Sequence, residues 1–152
     1  MKIVSGGQTG VDRAALYAAL KYGIHCGGWC PAGRLDEFGE IPDHYPLREM
    51  GQGSFADRTL QNVKDSDGTI VICFGEPRDG TQFTIECCEQ LERPRQIIDA
   101  MKTPAEDAAH AIRHFVDEHE IDILNVAGPR QSEWVEGYDY ASRALEQFLA
   151  TW

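Results

Sequence analysis

The amino-acid sequence predicts a doubly wound α/β domain, with one parallel sheet of about five strands and helices on both faces. Short apolar runs alternate with longer helical patterns from one end of the chain to the other, which is the signature of βαβ units. The run Thr69-Ile70-Val71-Ile72-Cys73-Phe74 is almost continuously apolar rather than alternating, as a strand covered on both faces should be. A glycine-rich segment follows the first apolar run and opens the first helical pattern. The 152 residues suffice for one domain with a real core, which at this size hides roughly 70% of the unfolded surface, and leave no room for a second.

The first strand is expected at residues 2–5, running directly into Gly6 and Gly7. A helix follows over 11–22, with Ala14, Ala15, Ala18 and Ala19 as a close-packing face and Gly23 placed to end it. Residues 24–29 give the second strand. Residues 30–54 then break the alternation with three prolines, four glycines and no periodic pattern. An insertion of that length is either functional or disordered, and Trp29, Phe38 and Tyr45 favour an ordered flap. A helix over 55–64 precedes the third strand at 68–74. A helix over 81–91, closed by Arg93-Pro94, leads to the fourth strand at 95–99. Thr103-Pro104-Ala105-Glu106 reads as N-cap, proline at the first helical position and capping-box glutamate, ahead of a helix burying Ile112, Phe115 and Val116. The fifth strand falls at 121–126. A last helix over about 138–149 buries Ala141, Ala144, Leu145, Phe148 and Leu149. No repeat or linker divides the chain, so one domain over 1–152 with an inserted flap is expected, the strand order lying open between the two common windings.

Hydrophobic residues make up 42% and charged residues 26% of the chain, with three tryptophans and six phenylalanines, a composition that argues for folding and against disorder. The formal net charge of −11 votes against nucleic acid and anionic membranes as partners, because both require an excess of Lys and Arg. It leaves an anionic small ligand open, since backbone N–H groups and a few local arginines bind phosphate on an acidic protein. The five cysteines are odd in number and fall largely within expected strands and helices. With no leader-like segment and no run of membrane-spanning length, they suit a cytoplasmic protein.

Ser5-Gly6-Gly7-Gln8-Thr9-Gly10 is the first candidate site, because it leaves a strand and opens a helix. Gly6, Gly7 and Gly10 would let backbone N–H groups approach a phosphate closely, the helix N-terminus adding its partial positive charge, with Gln8 and Thr9 as side-chain donors. No Lys-Ser or Lys-Thr pair follows, and the spacing is not G-x-G-x-x-G, so hydrolysis of a nucleoside triphosphate is unsupported. A glycine turn serving packing alone is the competing reading. Two further segments are expected at carboxyl ends of strands, where open α/β sheets bind ligands. In one, Asp79-Gly80-Thr81 opens a second helix toward the site. In the other, Gly128-Pro129-Arg130-Gln131-Ser132 offers Arg130 as a bidentate phosphate partner. Asp12 either complements the first helix's dipole or contacts a ligand hydroxyl or ring nitrogen. Glu86 is the one carboxylate to consider for acid–base work, no histidine having an evident partner. His25, Cys26 and Cys30 lie close together and Cys87-Cys88 are adjacent, but neither spacing matches a structural zinc site, so no metal bound directly by the protein is expected. His110, His114 and His119 are expected to face solvent.

The stretches Ser5-Gly6-Gly7-Gln8-Thr9-Gly10-Val11-Asp12-Arg13, Gly27-Gly28-Trp29-Cys30-Pro31-Ala32-Gly33-Arg34, Tyr45-Pro46-Leu47, Arg58-Thr59, Asn62-Val63, Asp65-Ser66-Asp67-Gly68-Thr69 and Asn125-Val126-Ala127-Gly128-Pro129-Arg130 resemble, in order and over nearly the whole chain, the molybdenum cofactor carrier protein family. That family is Rossmann-like and related to the wider group of lysine-decarboxylase-like phosphoribohydrolases. The resemblance implies a homo-oligomer, dimer or tetramer, that stores or transfers molybdenum cofactor (molybdopterin) to a molybdoenzyme recipient, the metal arriving with the cofactor. It implies that Gly6, Gly7, Gln8, Thr9 and Gly10 take the phosphate, with Gly80, Thr81, Gly128, Arg130 and Ser132 nearby, and that the flap bearing Arg34 shields the pterin. The alternatives are a nucleoside-monophosphate phosphoribohydrolase and a sensor of a nucleotide-derived ligand. The hydrolases resemble P-G-G-x-G-T-x-x-E. Here Gly80-Thr81 is kept, but Pro-Gly-Gly is missing and Glu86 comes late, turned away around the helix.

Overall fold

A computed structural model describes residues 1–152. The main sheet contains β1 (Lys2–Val4), β2 (His25–Gly27), β7 (Gly68–Cys73), β8 (Arg95–Asp99) and β9 (Ile123–Ala127), all parallel, in the order β2-β1-β9-β7-β8. Between β2 and β7 lie the short strands β3 (Trp29–Cys30), β4 (Leu35–Asp36), β5 (Gly39–Glu40) and β6 (Arg48–Glu49). The helices are α1 (Val11–Lys21), α2 (Phe55–Lys64), α3 (Asp79–Gln90), α4 (Ala105–Glu118) and α5 (Gly137–Ala150). The expected α/β class, sheet and two helical layers are therefore present.

Apolar periodicity explains the layers. Ala14, Ala15, Ala18 and Ala19 of α1 are wholly buried and, with Ala141, Ala144 and Leu145 of α5 and Ile112 and Phe115 of α4, cover Ile3, Ile70, Ile72 and Leu124 on one sheet face. Small side chains let α1 and α5 pack closely. On the other face α2 and α3 meet through Val63, Cys87 and Cys88. All six residues of β7 are buried, and across β7 and β9 the Asn125 amide donates to Thr69 Oγ1 at 3.2 Å.

The strand order is neither of the two windings read from sequence. The last strand, β9, inserts between β1 and β7. If β9 and α5 are placed ahead of β1, the order becomes 3-2-1-4-5, one half-and-half doubly wound arrangement with its direction reversing between β9 and β7. The crevice at that reversal lies beyond the carboxyl ends of β9 and β7 rather than beyond β1 alone. Strand order depends on which distant segments pair, which local pattern does not encode.

Two local expectations also change. The second strand breaks at Gly28, and Trp29–Cys30 leaves the main sheet to pair with Arg48–Glu49. Gly28 has φ 127° and lies against the backbone of Ser5, where a Cβ would collide with Ser5 O. Both edges of the Trp29 peptide are held by Asn62, whose Oδ1 accepts from Trp29 N at 2.8 Å and whose Nδ2 donates to Trp29 O at 3.0 Å. Helix α4 begins one residue later than Thr103-Pro104 implies, with Pro104 at the N-cap position in extended conformation and no side-chain cap. The carbonyl of Thr103 instead accepts the Tyr140 hydroxyl at 2.6 Å, which fixes the entry to the helix from α5.

The flap over 30–54 is ordered by side chains rather than by periodicity. The Arg34 guanidinium donates to the carbonyls of Pro42 at 2.8 Å and Tyr45 at 3.0 Å, with longer bonds to Leu47 and Ile41. Tyr45 and Ile41 are buried with Leu16 and Cys30, whereas Phe38, at the tip of the β4–β5 hairpin, is 70% exposed. His110, His114 and His119 are exposed. All five cysteines are free, and no helix is long and apolar enough to cross a membrane.

Candidate functional site

A cleft of about 360 Å³ lies at the reversal point, within the usual range for small-ligand sites. Its walls come from the glycine loop and α1 (Gln8, Asp12), from α2 (Phe55, Arg58, Thr59), from the start of α3 (Asp79, Gly80, Thr81, Phe83, Thr84) and from the segment after β9 (Gly128, Arg130, Glu133). Of the residues singled out in the sequence, Gln8, Asp12, Gly80, Thr81, Gly128 and Arg130 meet there. Gly6, Gly7, Thr9 and Gly10 build the loop behind the wall, and Arg34, Ser132 and Glu86 lie outside it.

The glycine loop is partly closed on itself, with the N–H groups of Gly6 and Gly10 left without an acceptor in the protein. Gly7 N donates to Ser5 Oγ at 3.2 Å, Gln8 N to Asp12 Oδ2 at 3.3 Å and Thr9 N to Gln8 Oε1 at 3.0 Å, and Val11 N donates to Pro129 O at 3.3 Å. Four donors that the sequence offers to a phosphate are thus engaged within the protein. Gly10, with φ 79°, lies where a Cβ would come 2.5 Å from Pro129 O, so its lack of a side chain serves the contact with the β9 segment. Gly6 faces Arg58, whose Nη1 occupies the place a Cβ would take.

Arg58 is a charged cleft residue that sequence reasoning passed over. Its position on α2 gave it no glycine-loop or strand-end signal, and only its place in the quoted resemblance marked it. Its side chain is 12% exposed, and Nη1 lies 3.4 Å from Asp12 Oδ2, while Nε is buried without a hydrogen-bond partner. Buried donors are nearly always satisfied, and Ser142 Oγ is the other buried side-chain atom without a partner. Asp12 is held against the guanidinium at the same wall. Burial pushes its carboxyl up to about 6, outweighing Arg58, the Gln8 N–H, Arg13 and the Gly128 N–H, which all favour the charged form.

The start of α3 faces the same space. No side chain caps it, and the N–H groups of Asp79 and Gly80 have no acceptor in the protein. Asp79 adopts φ 45°, a strained conformation for a non-glycine residue and one that collects at ligand sites. A helix N-terminus with free amides attracts anions. Arg130, in contrast, is already shared by two carboxylates, with Nε 2.9 Å from Glu133 and 3.5 Å from Glu37. Ser132 also serves Glu37, its N and Oγ each donating at 3.1 Å.

Glu86 is exposed and accepts only from Gln82 Nε2 at 3.4 Å. The position that the hydrolase-like pattern gives to glutamate, three after the threonine, is Thr84, which is buried and lines the cleft. No cluster of three or more His, Cys, Asp or Glu is gathered where it would hold a metal ion.

Comparison with known proteins agrees with this architecture. Residues 3–149 match the circularly permutated YpsA SLOG family. The 1.45 Å crystal structure of a "Putative molybdenum carrier protein" from Syntrophus aciditrophicus SB superposes with a TM-score of 0.95 at 45% identity, covering 97% of this chain and 94% of that one. No protein of curated function matches. With β9 between β1 and β7, a strand order that becomes the common doubly wound one once the last β–α unit is moved to the front, this chain belongs to the circularly permutated YpsA SLOG family.

Proposed function

We propose that the protein binds, and stores or hands on, a phosphate-bearing small cofactor, with molybdopterin as the form that best fits the name of its 45% identical relative. The observation that carries this reading is Arg58, a mostly buried guanidinium that lines one cleft with the uncapped start of α3. Both features favour a phosphate. On this reading the phosphate lies between Arg58 and the N–H groups of Asp79 and Gly80, with Gln8, Thr81, Gly128 and Arg130 around it. The glycine loop acts by shaping the wall and leaving room for Arg58.

Phe55 and Phe83 line the same cleft and offer apolar faces to a planar ring system. When bound, molybdopterin carries molybdenum on its own dithiolene sulfurs, so the protein's part is to bind the phosphate, cover the ring and exclude water. Free, mostly buried cysteines suit a reducing, cytoplasmic setting, and the family resemblance adds a homo-oligomer that delivers to a molybdoenzyme.

The test is native mass spectrometry of anaerobically purified protein, paired with oxidation of the released ligand. A fluorescent pterin accompanied by molybdenum supports the carrier reading. Release of a purine base from added nucleoside monophosphates overturns it in favour of the hydrolase.

A further inference from the structure

We propose that Asp12 receives the ligand's anionic group as a neutral carboxylic acid, so that each binding event takes up one proton from solution. This inference rests on the cleft reading above and adds to it the charge state of the site. The carboxyl of Asp12 is 5% exposed and shares a single guanidinium with whatever occupies the cleft, Nη1 of Arg58 lying 3.4 Å from Oδ2. An anion brought to Arg58 in the cleft therefore places two negative groups on one cation in a mostly buried wall. Two such anions a few ångströms apart raise one another's affinity for a proton.

Asp12 is the partner that yields, because burial already lifts its carboxyl to about 6. Once protonated, it changes from an acceptor into a donor and offers its hydrogen to an oxygen of the anion. No covalent bond forms or breaks, and the proton moves from water to the Asp12 carboxyl. The charged and polar groups facing that carboxyl are Arg58 from α2, Arg13 from its own helix, the Gln8 N–H of the glycine loop and the Gly128 N–H after β9. Asp79 and the Arg130–Glu133 pair share the cleft with it. No histidine lines that cleft.

The test uses sulfate, a fixed dianion that does not itself titrate between about pH 5 and 8, so that any proton uptake belongs to the protein. Calorimetric titration of the full chain in two buffers of different protonation enthalpy should give uptake near one proton at about pH 7, with affinity falling about tenfold per pH unit above about 6. Asp12→Asn should bind with affinity constant within about twofold over the same range and with no uptake. In the unaltered protein, carbon-13 NMR should show the Asp12 carboxyl titrating about two pH units higher or more under saturating sulfate. Binding without proton uptake, or the same pH dependence in Asp12→Asn, overturns this inference, and loss of that binding in Arg58→Gln would then leave the anion site standing. Failure of the unaltered protein to bind sulfate or inorganic phosphate even at about pH 5 overturns the anion site itself.

Discussion

Gly6 and Arg58 occupy one another's space: a Cβ on Gly6 would coincide with Nη1 of Arg58 and lie 2.5 Å from Cζ and 2.9 Å from Asp12 Oδ2. The glycine in the loop after β1 is thus tied to an arginine on α2, 52 positions along the chain by residue number (58 − 6). Gly6→Ala should displace the guanidinium and weaken anion binding by about tenfold or more, since each 1.4 kcal/mol is a factor of ten. Equilibrium titration with inorganic phosphate checks this, and unchanged affinity would contradict the account.

Burial of Asp12 makes stability depend on pH in a stated direction. Its folded value of about 6 lies above the ordinary 3.8, so the folded state holds the proton more tightly between those limits. The stabilisation is complete below about 3.8 and is lost as pH rises through about 6. Asp12→Asn, fixed in a neutral form, should therefore gain on the unaltered protein by about 1 to 3 kcal/mol between pH 4 and 6 and hold that gain above it. Urea unfolding at several pH values reads the difference, and a constant gap across the range would refute it.

Gly128 packs where no side chain fits, with Ile72 O against it and Val11 Cγ2 2.7 Å from a built Cβ. Gly128→Ala should destabilise by about 1 to 3 kcal/mol, the usual range for overpacking. A lower denaturation midpoint with unchanged slope is the expected result.

Much of the fold was legible because apolar runs and helical periods are local. Helix α2 and strand β8 have the bounds their sequences imply, and the alanine face of α1, read as a close-packing surface, packs in the core against α5. The insertion of β9 between β1 and β7 was not legible, because nothing local distinguishes one neighbour from another. The cleft lining was legible where a strand end or helix start marks it, as at Gly80, Thr81, Gly128 and Arg130. It was hidden at Arg58, a helical residue that becomes a cleft wall only when α2 packs over the glycine loop. The protein partners of Arg34, which the resemblance implies over the ligand, and of the loop residue Ser132 were not legible, because a lone arginine or loop serine carries no local sign of them. In the structure these partners are the flap carbonyls and Glu37.

Glu37 latches the β4–β5 hairpin across the molecule, its carboxylate accepting from Ser132 and its N–H donating to Gln8 Oε1 at 2.9 Å. Glu37→Ala removes the carboxylate bonds and spares the backbone one. Amide hydrogen exchange within residues 35–40 should accelerate by about three- to tenfold, in keeping with the modest net worth of such bonds. Global stability should change by less than about 1 kcal/mol. Unaltered exchange in the hairpin would show that the latch does not hold it.

The most direct test of the account is to purify the protein and Arg58→Gln side by side under anaerobic conditions and compare their native mass spectra. The account predicts a non-covalent phosphate-bearing adduct on the unaltered protein, released as an oxidisable pterin and lost from Arg58→Gln while the fold is retained. The same adduct at the same occupancy on both proteins would contradict the assignment of Arg58 as the phosphate anchor.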